Sequence, residues 1–285
     1  MDVIHILVLA LVQALTEFLP ISSSGHLVLA SYFLGWEYQG IAFDLALHFG
    51  TLLAVLGYFR KDLIDITRAV LRWRPGLPMN PLQRLGLGLA ISTIPAVIVG
   101  ASMGDAGALL LRHPLLIAVN LIVFGLLLGV ADRKSSHDRA AQATADADFV
   151  ADANAVFAHM SVKQALWIGG AQALALVPGT SRSGITLTAG LFLGLTRAAA
   201  ARYSFLMSVP VMILAIVHSL WEMRDATTRV AWGDFALGAL VSGVAGLGVI
   251  HLFLGVIRRV GVQPFVIYRV LLGVFIVGWY YTAPG

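Results

Sequence analysis

Long apolar runs occupy most of this 285-residue chain, and they limit what it can fold into. Hydrophobic residues make up 59% of the sequence and charged residues only 12%, far from the balance of a soluble globular domain. The sequence therefore predicts an all-α polytopic membrane protein that forms one membrane domain over residues 1–285. No short leader with a cleavage site precedes the first apolar segment, so we expect that segment to belong to the mature fold.

Six apolar runs approach or exceed the roughly 20 residues that a helix needs to cross a bilayer. We predict six transmembrane helices at residues 41–59, 85–103, 114–131, 204–221, 235–257 and 265–282. Two further apolar segments, 3–35 and 164–195, are interrupted by polar residues, and their second halves are too short to cross alone. Irregular backbone at membrane depth is tolerated only inside protein or beside a water-filled cavity. We therefore predict two re-entrant helix-loop-helix hairpins.

The two interrupted segments resemble each other, which indicates an internal repeat. Gln13-Ala-Leu precedes the first interruption as Gln172-Ala-Leu precedes the second, and both segments end in Phe-Leu-Gly, at Gly35 and Gly194. We predict a first repeat at 1–132, a polar cytoplasmic linker at 133–163 and a second repeat at 164–285. Each half contains an odd number of crossings, so the second half is predicted to have inverted topology, which places sites near the membrane midplane.

The positive charges are distributed as this topology requires. If the loop after Tyr58 is cytoplasmic, all but four of the 19 Lys and Arg residues, Arg269 included, fall on the cytoplasmic side. The four exceptions are Arg112, Arg224 and Arg229, which fall outside, and Arg182, which lies in the second hairpin. This is the positive-inside signal, and it accounts for the net charge of +4 without nucleic acid as a partner. The first hairpin is then expected to open from the outer face and the second from the inner face.

The first interruption contains a candidate anion site. Glu17 lies inside a membrane segment, where an acid costs roughly 2.5 to 3.5 kcal/mol on insertion scales and so marks a functional position. Gln13 lies on the same helix face, one turn earlier. The break leaves the first N–H groups of the next helix unpaired, which favours an anion, and serine hydroxyls add donors. The polar residues that follow Glu17 are Ser22, Ser23, Ser24, Gly25 and His26.

The second interruption repeats this arrangement and adds a cation. Its polar residues are Thr180, Ser181, Arg182, Ser183, Gly184 and Thr186. A guanidinium at membrane depth needs an anionic partner, and its planar fork suits a phosphate. If the two interruptions meet, they predict a phosphate site. Three alternatives stay open: the hydroxyls bond to the preceding helical turn, His26 is a buried histidine with satisfied bonds, or Glu17 and Arg182 form a structural ion pair.

A carboxylate in a phosphate site favours hydrolysis over transport. Glu17 repels phosphate unless a hard divalent cation such as Mg²⁺ lies between them or the carboxylate transfers a proton. His26 can act as general acid, general base or nucleophile, and Ser23 is a candidate nucleophile beside it. The sequence leaves these roles open. His48, on an apolar helix after Asp44, is expected to pack or to support the site indirectly.

The two motifs resemble the signature motifs of the undecaprenyl-diphosphate phosphatase family, the bacitracin-resistance phosphatases of bacterial inner membranes. The runs from Gln13 to His26 and from Pro178 to Thr186 carry the resemblance, which covers the whole chain and includes the stretch 43–50. It implies hydrolysis of undecaprenyl diphosphate to undecaprenyl phosphate and inorganic phosphate, which recycles the lipid carrier for peptidoglycan synthesis and confers bacitracin resistance. It also implies inverted repeats and a multi-pass inner-membrane protein whose active site faces the periplasm.

The same resemblance assigns roles by position. It implies Glu17, Ser23, His26 and Arg182 as catalytic residues, with Mg²⁺ or Ca²⁺ as the cofactor. The phosphate-binding residues that we expect are Ser22, Ser24, Gly25, Thr180, Ser181, Arg182, Ser183, Gly184 and Thr186. The first motif allows Glu or Gln at its opening position, and this chain has Gln13. The expected metal ligands are Glu17 and Gln13, with either phosphate oxygens alone or a further group such as Asp44 completing the site.

A transporter or flippase of polyprenyl phosphates is the alternative function, because inverted repeats suit it equally well. Phosphate release in detergent would separate the two functions, since no second compartment exists there. The expected partners are the polyprenyl diphosphate substrate and membrane lipids, and a homodimer is left open.

Overall fold

The computed structural model of the chain describes residues 1–74, 76–103, 111, 113–137, 160–223 and 230–282. Within these ranges the chain is helical and contains no β-strand, which confirms the all-α prediction. The helices are α1 (Val3–Phe18), α2 (Ser23–Leu34), α3 (Ile41–Tyr58), α4 (Arg60–Leu71), α5 (Pro81–Ser102), α6 (Pro114–His137), α7 (Val162–Ala173), α8 (Arg182–Phe192), α9 (Arg197–Met223), α10 (Trp232–Arg259) and α11 (Gln263–Thr282). A single 3₁₀ turn, Leu174–Leu176, follows α7.

Among the described residues, six helices are long and apolar enough to cross a membrane: α3, α5, α6, α9, α10 and α11. They correspond one to one to the six predicted spans, which confirms a polytopic membrane protein. Several are longer than predicted, because polar residues at their ends continue the helix. Helix α9, for example, begins at Arg197, and α6 continues to His137.

Part of the predicted organisation falls on residues that the structure does not describe. The linker predicted at 133–163 is described only up to residue 137 and from residue 160 onward. Four of the arginines that were assigned to one side of the membrane lie outside the described residues: Arg112, Arg139, Arg224 and Arg229. The boundaries of the two repeats stay a prediction.

Helix α4 is an amphipathic helix to which the sequence analysis assigned no structure. Its buried residue is Ile66, whereas Arg60, Lys61 and Arg68 are exposed. Asp62 on its inner side forms an ion pair with the buried Arg202 of α9. The helix therefore packs onto the spanning helices through one face and presents cations on the other.

Small residues let the spanning helices approach one another closely. A side chain added at Gly50 of α3 would overlap the backbone of Ala239 in α10, and one at Gly169 of α7 would overlap the backbone of Ser92 in α5. In lipid, burial of apolar side chains between helices provides little driving force, so close van der Waals contact between small residues stabilises the packing instead. This packing holds α3 against α10 and α7 against α5.

Candidate active site

Each interruption ends in a serine with a positive φ, and the next helix begins at the following residue. Ser22 has φ 79° and Ser181 has φ 71°, and no other described non-glycine residue has a positive φ. The Ser22 hydroxyl accepts a hydrogen bond from the Gly25 N–H at 3.4 Å, and the Ser181 hydroxyl accepts one from the Gly184 N–H at 3.1 Å. Such side-chain caps satisfy donors that a helix start leaves unpaired. The cap therefore helps to offset a backbone conformation that usually costs about 1–3 kcal/mol.

The two turns are in direct contact, which meets the condition for a shared phosphate site. The Gly179 N–H donates to the Ser22 hydroxyl at 3.1 Å, and the Ser183 hydroxyl donates to the Leu19 carbonyl at 3.0 Å. Gly179 has φ +90°, and a Cβ there would lie 2.5 Å from the carbonyl oxygen of Ile117 in α6. Only glycine therefore fits where the second turn meets the first.

Arg269 of α11 holds both turns and is fully buried. Its guanidinium donates to five backbone carbonyl groups, at distances of 2.9 to 3.2 Å. Three of these carbonyls belong to the turns and two to α6: Pro20, Gly179, Thr180, Asn120 and Leu121. The assignment of Arg269 to the cytoplasmic charges was therefore wrong. The breaks leave carbonyls unpaired inside the protein, and a guanidinium with five N–H donors can satisfy them.

Glu17 lies at the centre of the contacts between the two turns. One carboxylate oxygen accepts from Arg182 Nη2 at 3.0 Å, and the other accepts from Ser23 Oγ at 2.7 Å and Gln13 Nε2 at 3.2 Å. The side chains of Glu17 and Arg182 are only 7% and 13% exposed. The structure thus brings together the predicted acid, hydroxyl and guanidinium. It also forms the ion pair that the sequence left open as a structural alternative.

Arg182 is oriented by a second contact on its other side. Its Nη1 donates to the Ser204 carbonyl of α9 at 3.1 Å. The Thr186 hydroxyl bonds to the Arg182 carbonyl at 2.8 Å and to the Ser204 hydroxyl at 2.7 Å, so it joins α8 to α9. The hydroxyls of Thr186 and Ser183 are therefore already used within the protein.

Donors for an anion are present at both helix starts. Within the described ranges, the backbone N–H groups of Ser23, Ser24, Arg182 and Ser183 have no protein acceptor. The Thr180 hydroxyl is also buried without a partner in the described part of the chain. Unpaired N–H groups at two converging helix N-termini favour an anionic ligand.

His26 does not join the Glu17 cluster. Its Nδ1 lies 2.7 Å from the Ser22 carbonyl oxygen and its Nε2 lies 2.7 Å from the Tyr268 hydroxyl. A carbonyl only accepts, so Nδ1 carries the proton and Nε2 of the neutral ring accepts from Tyr268. Both ring nitrogens are engaged, as in the alternative of a histidine with satisfied bonds, although the ring is only partly buried.

A cavity of about 370 Å³ adjoins the turns. Its lining residues come from α2, α3, the α2–α3 loop, the end of α5 and the second interruption: Ser24, Leu27, Val28, Tyr38, Gln39, Asp44, His48, Met103, Leu176 and Pro178. The Asp44 carboxylate accepts from the Tyr38 hydroxyl at 2.8 Å and from Gln39 Nε2 at 2.6 Å. Asp44 therefore fixes the loop between α2 and α3, and its carboxylate accepts hydrogen bonds from Tyr38 and Gln39.

The residues of the first motif fit one divalent cation. Gln13 Oε1 is buried and has no partner among the described residues, and the Glu17 carboxylate lies one helical turn away. Mg²⁺ and Ca²⁺ prefer oxygen ligands of this kind. No cluster of three or more His, Asp or Glu side chains suited to a metal occurs in the described ranges. The fit is thus one carboxylate, whose oxygens also accept from Ser23, Gln13 and Arg182, and one amide oxygen, with phosphate and water oxygens needed to complete the coordination.

These features define a class of protein before any comparison. The chain is a polytopic membrane protein in which two interrupted helical segments meet around a buried carboxylate, a hydroxyl and a guanidinium. Backbone N–H groups at converging helix N-termini and a planar guanidinium are groups that bind phosphate.

Sequence comparison then identifies the family. The profile of the family described as bacitracin resistance protein BacA matches residues 6–275, so the chain belongs to this family. A protein named undecaprenyl-diphosphatase from Hahella chejuensis is 45% identical over 280 residues, covering 98% of this chain and 99% of the relative. The same name is carried by a relative from Chromohalobacter salexigens, 45% identical with 98% and 99% coverage, and by one from Teredinibacter turnerae, 46% identical with 97% and 98% coverage.

Proposed function

We propose that this chain is an undecaprenyl-diphosphatase that hydrolyses undecaprenyl diphosphate to undecaprenyl phosphate and inorganic phosphate. Relatives of nearly the same length carry this name, and the family is named for bacitracin resistance. The observation that carries the proposal is the contact of Glu17 with both Ser23 and Arg182 where the two turns meet. The reaction returns the lipid carrier to peptidoglycan synthesis.

Ser23 is the nucleophile in this proposal, and Glu17 is its base. A hydroxyl bonded at 2.7 Å to a carboxylate, which is itself oriented by Gln13 and Arg182, has the arrangement of an activated nucleophile. The Ser23 oxygen attacks the terminal phosphorus, and the bond from that phosphorus to the bridging oxygen breaks. The proton of Ser23 passes to Glu17, and undecaprenyl phosphate leaves. Water then hydrolyses the phosphoserine and releases inorganic phosphate.

Charge stabilisation comes from Arg182 and from the free N–H groups at the two helix starts. These donors are held in place before the reaction by the Ser204 carbonyl and by the Arg269 contacts, so they need little reorganisation as charge develops on the phosphoryl oxygens. Gln13 and Glu17 would hold Mg²⁺ or Ca²⁺, which when bound neutralises charge on the diphosphate oxygens.

The membrane arrangement belongs to the same proposal. Helices α1 and α2 form one re-entrant hairpin and α7 and α8 the other, in two repeats of inverted topology with the site open to the periplasm. The matching serine turns and the distribution of positive charge support this arrangement. The long polyprenyl tail stays in lipid while the diphosphate enters the polar site. A homodimer stays a prediction.

The test is phosphate release by the purified protein in detergent micelles. We expect inorganic phosphate from undecaprenyl diphosphate with Mg²⁺ or Ca²⁺, loss of release with a chelator, and loss of release in Ser23→Ala. Tight binding of the substrate without any release would support the transporter instead, since micelles provide no second compartment.

A further inference from the structure

His48 is the imidazole that shares the cavity with the start of α2. It lies on α3 and lines the 370 Å³ space together with Ser24 and Asp44. His26, the histidine that the sequence favoured, is by contrast bonded through both ring nitrogens to Ser22 and Tyr268. The imidazole with room for a reaction partner is therefore His48.

The orientation of the His48 ring leaves one nitrogen available. Nδ1 lies 2.8 Å from the Asp44 carbonyl oxygen, one turn earlier on α3. Because this carbonyl only accepts, Nδ1 carries the proton, and Nε2 of the neutral ring is an acceptor. Nε2 has no hydrogen-bond partner in the part of the chain that the structure describes. The ring is thus fixed in the tautomer whose Nε2 can accept a proton, on a residue that lines the cavity.

The proposed reaction needs a second base besides Glu17. Both Glu17 oxygens are already bonded to Arg182, Ser23 or Gln13. After the first step of the reaction Glu17 holds the proton of Ser23, so hydrolysis of the phosphoserine needs a second base.

We propose that His48 is this second base, an inference that rests on the proposed hydrolase function. The water oxygen bonds to phosphorus, and a proton of the water passes to His48 Nε2. The bond between phosphorus and Ser23 Oγ breaks, and Ser23 recovers its proton from Glu17. Inorganic phosphate leaves, and His48 releases its proton to solvent through the cavity. One proton is released per turnover, and every residue returns to its starting state.

The experiment follows the phosphoenzyme with substrate labelled on the terminal phosphate. Gln at position 48 keeps a donor for the Asp44 carbonyl but cannot act as a base. For His48→Gln we expect kcat to fall roughly 100-fold or more, the range typical of general acid–base groups. Acid quenching should then trap most of the enzyme labelled at Ser23, whereas wild type shows little label. His251→Gln is the matched control, because His251 is exposed on α10 and contacts Tyr58 away from the turns.

Several outcomes separate this inference from the broader function. Turnover of His48→Gln close to that of wild type, or slow turnover without labelled Ser23, overturns the role of His48. If the wild type still releases phosphate, the proposed hydrolase function stands. Absence of release by wild type overturns the hydrolase itself. His48→Ala with added imidazole guards against misfolding: recovery of turnover supports the proposal, and no recovery in a folded variant contradicts it.

Discussion

The turns at Ser22 and Ser181 have the same backbone geometry but carry different chemistry. Each places a serine at positive φ, caps the glycine three residues later and brings the hydroxyl of the serine two residues later within 3.4 Å. Yet the first residue of the following helix is Ser23 in one and Arg182 in the other, and both contact Glu17. The repeated turn is thus a scaffold, and the reaction depends on the positions at which its two copies differ.

Three of the positions at which the two copies differ carry the charged or reactive side chains of the first turn. In the second turn Leu176 stands where the first has Glu17, and Ile185 stands where the first has His26. One copy therefore supplies the acid and the proposed nucleophile, and the other supplies the cation. An anion site with both charge signs needs this asymmetry, because two identical turns would bring either two acids or two cations into contact.

Removal of the acid unique to the first turn should have the largest effect. For Glu17→Gln we expect a loss of kcat of roughly 1,000-fold, because the amide cannot accept the proton of Ser23. Dependence on a divalent cation should also disappear, while the protein still folds and inserts. The measurement is phosphate release with and without chelator, with the exposed Glu37→Gln as control. A variant that does not fold would instead favour a purely structural ion pair between Glu17 and Arg182.

Replacement of the cation unique to the second turn should come next. For Arg182→Lys we expect kcat/KM to fall about 100-fold, because an ammonium cannot contact Glu17, the Ser204 carbonyl and a phosphate with the geometry of the planar fork. The exposed Arg72→Lys is the control. Turnover near that of wild type would contradict the role given to Arg182.

Replacement of Arg269, which bonds to carbonyls of both turns, should have a smaller effect. It should weaken the two turns alike. For Arg269→Lys we expect the free energy of unfolding to fall by about 2 kcal/mol, because lysine cannot satisfy five carbonyl groups at once and hydrogen bonds to charged groups are worth about 1.5–3 kcal/mol. Thermal unfolding in detergent measures this change. An unchanged melting temperature would show that the carbonyls find other donors.

The smallest effects are expected for removal of the two serine caps, and the two variants should differ in unfolding free energy. Ser181→Ala removes one cap, which typically costs about 1 kcal/mol. Ser22→Ala removes the equivalent cap and also the acceptor for the Gly179 N–H of the other turn, so its cost should be larger by about 1 kcal/mol. Equal unfolding free energies for the two variants would mean that the contact between the turns contributes little.

Much of the fold was predictable because it depends on local pattern. Apolar runs of sufficient length predicted all six spanning helices of the described chain, and the paired interruptions predicted where the helical segments break. The approach of Glu17 to Arg182 was also predictable, since an acid and a cation inside apolar segments require each other. Helix α4 was missed because it is too short and too charged to form an apolar run, although Leu63, Ile66 and Val70 recur on one helical face.

The amino-acid sequence by itself determined the helical membrane architecture, the two interruptions and the supply of one acid, one hydroxyl and one guanidinium. Only the tertiary structure decided how these groups are used. It placed Arg269 among carbonyls of both turns, joined His26 to Tyr268 and made His48 part of the lining of a cavity. The physical reason is that hydrophobic length and periodicity act locally along the chain, whereas a hydrogen-bond partner far away in sequence exists only after the helices have packed.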